Sequence, residues 1–125
     1  MKAIIFLSLG MFASLAVMAK SQNCASPDSN IQYRLEQSNG GAMKPPTVLL
    51  KLAGKILVNK GSATNVEKAN IIFEEQQEVM APVKVGNTVT EIYSAHAIIV
   101  DIKTDKILSD DYVICRLVKS VVGPF

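Results

Sequence analysis

Tryptophan is absent from the 125 residues, histidine occurs once and cysteine twice, and aromatic side chains make up only 6%. Each scarcity excludes a class of chemistry. Sugar-cleaving clefts are lined with aromatic rings around paired carboxylates, and this chain has few rings to give. One His and two Cys cannot fill a zinc site without recruiting carboxylates. The missing Cys-x-x-Cys removes a thioredoxin-like redox role. Gly40-Gly41 and Gly54 match neither the P-loop nor the dinucleotide fingerprint. Charge of one sign is also lacking: 13 Lys and Arg stand against 11 Asp and Glu. Phosphate backbones need a concentrated basic surface, so nucleic acid is not an expected partner. No segment has low complexity, and no repeat indicates a solenoid or propeller.

Long apolar runs are confined to the start. Residues 1–19 (MKAIIFLSLGMFASLAVMA) place Lys2 before an apolar stretch, and Val17-Met18-Ala19 supplies small residues at −3 and −1 of a cleavage site before Lys20. The stretch is short for a spanning helix, which needs ~20 residues. It reads as a cleaved signal peptide, leaving residues 20–125 as one exported domain. Loss of Lys2 leaves 12 basic against 11 acidic residues, a net +1. Later apolar segments are interrupted by Lys51, Lys55, His96 and Asp101, so no transmembrane segment is expected after cleavage. The short leader and the absence of any Asn-x-Ser/Thr acceptor point to a bacterial periplasmic or secreted protein.

Cys24 and Cys115 are an even pair in a chain read as exported, and only one pairing exists. A disulfide between them closes a loop of most of the domain. Chain entropy gives such a closure about 4–5 kcal/mol.

Between the cysteines the pattern is mostly that of strands. Ile31, Tyr33 and Leu35 alternate with Gln32, Arg34 and Glu36, the period of a half-buried strand. Residues 38–46 (SNGGAMKPP) form a loop, since Pro45-Pro46 forbids interior strand pairing. Residues 47–59 (TVLLKLAGKILVN) fit a helix or one strand bent at Gly54. The strand is favoured because a mid-segment Gly costs a helix ~1 kcal/mol. Residues 66–80 (VEKANIIFEEQQEVM) are the best place for a helix, yet Ile71-Ile72-Phe73 can begin a short edge strand, and strand is the reading adopted. Pro82 and Gly86-Asn87 leave residues 83–85 a short strand. Residues 88–103 read as a central strand covered on both sides, and residues 107–118 as its hairpin partner, with Asp110-Asp111 a bulge or bend. The expectation is all-β: a small antiparallel β-sandwich or partly open barrel of five or six strands, pinned by one disulfide.

The search for chemistry is short. His96 shares the parity of Ile92 and Ile98, and if that face is the core it is a structural imidazole. A Cys–His nucleophile loses its thiol to the bridge. Asp101, Asp105, Asp110 and Asp111 surround a turn without EF-hand spacing. Glu74, Glu75 and Glu78 read as a solvated face, and Lys44, Lys51, Lys55, Lys60 and Lys68 as scattered solubilising charge. Gln77-Glu78-Val79-Met80-Ala81 is similar to the Gln-x-Val-x-Gly loop of cystatins. Ala81 replaces the closing glycine and no Trp exists for the second hairpin, so the cystatin function is not carried over.

No group of residues supplies nucleophile, base and orienter together, and no catalytic, cofactor or metal residue is assigned. The protein is therefore expected to be a non-catalytic binding or structural module, taking another exported protein, an envelope component or copies of itself as partner. The alternative is a small secreted protease inhibitor acting through the 38–46 loop around Met43-Lys44.

Overall fold

A computed structural model describes residues 17–37, 46–61 and 64–122. Most of the leader and all of the 38–46 loop except Pro46 lie outside the described residues. The expected all-β class is what is found: eight antiparallel strands in a single sheet, ordered β5-β4-β3-β2-β1-β8-β7-β6. They are β1 (Val17–Ala25), β2 (Ile31–Gln37), β3 (Thr47–Leu52), β4 (Lys55–Lys60), β5 (Val66–Glu67), β6 (Ala69–Val85), β7 (Thr88–Asp101) and β8 (Ile107–Val122). Among the described residues no helix is long and apolar enough to cross a membrane.

The count of five or six strands is corrected to eight, for identifiable reasons. Residues 47–59 are two strands, because Ala53 (φ 53°) and Gly54 (φ 81°) form a two-residue turn with positive φ at both positions. The irregularity expected at Gly54 lies further on: Leu50 faces Val58 and Lys51 faces Ile56, so Leu57 is the extra, bulged residue. β1 was not expected at all. Its stretch from Lys20 to Asn23 is polar, yet it lies in mid-sheet because β2 and β8 pair with it on both sides. β1 starts at Val17, so cleavage before Lys20 would remove its first three residues.

The Glu-rich segment that suits a helix is instead the first part of a 17-residue strand. The short strands expected at 71–73 and 83–85 are its two ends. Three bulges interrupt its pairing with β7, between Glu74 and Gln77, Glu78 and Met80, and Met80 and Val83. Pro82 falls in the last of these, where a missing N–H is tolerated. Glu75 takes a left-handed φ of 53° in the first. This irregular edge, with Lys84 and Glu78 exposed, blunts strand addition by another chain. On β8 the bulge lies at Leu108, between the Ile99–Ser109 and Val100–Ile107 pairs, and not at Asp110-Asp111, which are in regular register.

The sheet coils over its own inner face. In a flat sheet β2 and β6 would be four strands apart, roughly 19 Å. Yet the Tyr33 and Phe73 rings meet edge to face with centroids 5.3 Å apart. The two ends of the strand order also meet, since only Lys68 separates β5 from β6. The Lys68 N–H donates to the Leu57 carbonyl of β4 at 2.8 Å, and its carbonyl accepts from Ile102 N–H at 2.9 Å. Neighbouring strands rotate by roughly 20–25°. Seven such steps accumulate to about a half-turn, which lets the two edges reach one residue.

Inside the coil lie Ile31, Leu50, Val58, Ala69, Ala95, Ala97, Ile99 and Val113, with the Cys24–Cys115 bridge among them. The bridge joins directly opposed residues of β1 and β8. That ladder is the seam between an N-terminal five-strand meander and a C-terminal three-strand one. β7 is buried on the face of Ala95, Ala97 and Ile99, while Ile92, His96 and Ile98 on its other face are only half-buried. The expected cover on both sides is thus partial.

Two local consequences are measurable. Asn tolerates left-handed backbone better than Ala, so Ala53→Asn is expected to stabilise the β3–β4 turn by about 0.5–1 kcal/mol, read as a raised melting temperature. Burial raises the Tyr33 pKa, helped by Tyr93. Burial likewise raises that of Tyr93, against a hydrogen bond from Gln22 that lowers it. Above about pH 10 the unfolded chain ionises both phenols, and the folded protein gives up their protons less readily. Stability is therefore expected to fall as pH climbs past that point, and urea midpoints at pH 9 and 11 should converge in a Tyr33→Phe/Tyr93→Phe variant.

Candidate basic groove

On the outward face one row of residues crosses five strands in register: Ile92 of β7, Arg116 of β8, Asn23 of β1, Arg34 of β2 and Leu49 of β3. The adjoining outward row carries Ile114, Ala25, Gln32 and Lys51. Together they line a concavity of about 560 Å³. Arg34 and Arg116 stand two strands apart, roughly 10 Å. The Arg34 Nε donates to Asn23 Oδ1 at 3.3 Å, which orients the guanidinium and leaves its other donors to solvent.

Two cations elsewhere on the sheet are ion-paired, and those of the groove are not. Lys60 is paired with Glu67 at 3.1 Å and Lys119 with Glu91 at 2.9 Å. Arg34, Arg116 and Lys51 have no carboxylate of the described residues within 4.0 Å. Glu36, the next outward residue on β2, is the nearest acid along that strand and does not pair with them. Guanidinium groups bind carboxylates in a bidentate fork, and Leu49, Ile92 and Ile114 supply apolar contact beside it.

A second outward concavity, of about 630 Å³, gathers Glu75, Gln77, Ser94, His96, Asp110 and Tyr112. His96 Nε2 pairs with Asp110 Oδ1, and Nδ1 faces Glu75 Oε1 at 4.0 Å. His96 is thus not a core imidazole. The core took the opposite parity of β7, where small Ala95 and Ala97 let the coiled sheet close tightly.

The remaining candidates fall elsewhere. Cys24 and Cys115 are bonded to each other and buried. Asp101 organises the β7–β8 turn, its Oδ1 accepting from the N–H groups of Lys103 and Thr104 at 2.8 and 3.0 Å. These bonds hold its carboxyl below the usual range. Asp105 takes a left-handed φ of 61° in the same turn. Glu74, Glu75 and Glu78 line the exposed edge of β6. The cystatin-like residues 77–81 lie within that strand, paired to β7, and not in a loop. Met43 and Lys44 lie outside the described residues.

Arg34 and Arg116 were missed as a pair because they lie 82 positions apart in sequence. One signal could have found them. A bridge between opposed strands puts Asn23 opposite Arg116, and the alternation of β2 then brings Arg34 to the same face. No protein family, curated protein or solved structure matches the chain.

Proposed function

We propose that this is an exported, non-catalytic binding module that holds an acidic protein partner on the groove of Arg34, Arg116 and Lys51. The observation that carries the reading is the convergence of three cations, unmatched by carboxylates of the described residues, around an apolar-floored concavity. The non-catalytic part draws support from the fate of the thiols, both of which are consumed in the bridge. Export rests on the pattern of residues 1–19.

A fluorescein-labelled Glu-rich peptide tests it. Binding is expected at low ionic strength, weakening with salt, and a Lys-rich peptide should not bind. An Arg34→Glu/Arg116→Glu variant should lose at least about tenfold in affinity. Equal binding by that variant, or none by the unaltered protein, would remove the groove from consideration.

A further inference from the structure

The outward face carries its own counter-charge. Along β8 the outward residues are Asp110, Tyr112, Ile114 and Arg116, so acid and base are six residues apart, about 20 Å of strand. Glu74 and Glu75 extend the acidic pole on β6, around His96. Three carboxylates there outnumber the one imidazole, so the pole stays negative even when His96 is charged. Arg34 and Lys51 extend the basic pole on β2 and β3. Between Asp110 and Arg116 lie Tyr112, 50% exposed, and Ile114, 41% exposed, while Ile92 and Met80 continue the row of Arg116 toward the β6 edge.

We infer that the acidic partner of the groove is a second copy of this chain, docked face to face as a two-fold dimer; this rests on the groove being an acid-binding surface. A two-fold axis lying in the interface, at right angles to the line joining the poles, sets each acidic pole on the other copy's basic pole. It also lays the apolar centre against itself. An axis along that line would stack like charge on like charge. An unrelated acidic protein accounts for the basic pole alone, whereas a second copy accounts for both poles and the exposed apolar strip between them. The interface is isologous, so every contact occurs twice.

Sedimentation velocity on the protein without residues 1–19 tests this. A monomer–dimer equilibrium is expected that weakens with salt. Arg116→Glu and Asp110→Lys should each weaken it by at least about tenfold, and Ile114→Ser should weaken it without changing any charge. Circular dichroism confirms that each variant is folded. The two charge variants mixed in equal amounts should dimerise again. In the mixed dimer the two introduced charges are opposite in sign and face each other at one contact, while Asp110 faces Arg116 at the other. A monomer at about 1 mM, a dimer indifferent to the reversals, or a mixture that stays monomeric would each overturn the dimer. If the Glu-rich peptide still binds in those cases, the groove keeps its acidic partner and only the second copy is wrong. Loss of both ends both readings.

Discussion

Replacing the disulfide by a Cys24→Ala/Cys115→Val pair is expected to cost about 4–5 kcal/mol of unfolding free energy. The sulfurs join residues 91 apart in sequence, so the bridge removes a large share of the unfolded chain's freedom. Net stabilities of small domains are only about 5–15 kcal/mol. The location sharpens the expectation. The β1–β8 ladder joins the two meanders, and β1 offers few apolar side chains to hold the seam by packing. Urea unfolding of the oxidised and substituted proteins measures the difference. A loss under about 1 kcal/mol would mean that the unfolded chain is already held compact, contrary to the entropic account.

The second large effect is expected at Ile99, which is fully buried. Ile99→Ala should cost about 2–5 kcal/mol, read from the same urea curves. Ile99 belongs to the C-terminal meander, while Ile31 and Leu50, equally buried, belong to the N-terminal one. Backbone walls hydrogen-bonded on both sides cannot collapse readily into the void, so the cost should lie toward the upper end. Val79→Ala, by contrast, removes a side chain that is 55% exposed on the bulged edge and should change stability little. Similar losses at both positions would contradict the placement of the core.

What the sequence disclosed follows from the range of the forces involved. The alternation from Ile31 to Glu36 is a local signal, and β2 turns the residues it indicates away from solvent, Ile31 fully and Tyr33 and Leu35 in part. On β8 Val113 and Cys115 are inside and Tyr112 and Ile114 outside, a choice between two apolar faces that the alternation alone does not make. The bridge was legible by elimination, there being one pair to form. Other features needed neighbours. β1 is a strand because of what flanks it, not because of its composition. The helix-favouring glutamates of β6 yield to pairing with β7, a tertiary preference outweighing small local ones. Ala53-Gly54 lacks the Asn or Asp that marks such turns, so two strands looked like one. The groove is the least local feature of all: five strands contribute one or two residues each, and only their register assembles Arg34, Arg116 and Lys51.

The pairing of β1 with β8 puts Val17 opposite Val122 and Lys20 opposite Lys119. The start of β1 and the end of β8 therefore lie side by side at one rim. A tether of a few glycines and serines can join these two strand ends into a circle, and the Gly86-Asn87 hairpin offers a place to reopen it. By the same geometry the whole unit can be spliced into a surface loop of a host protein, entering and leaving through a single doorway.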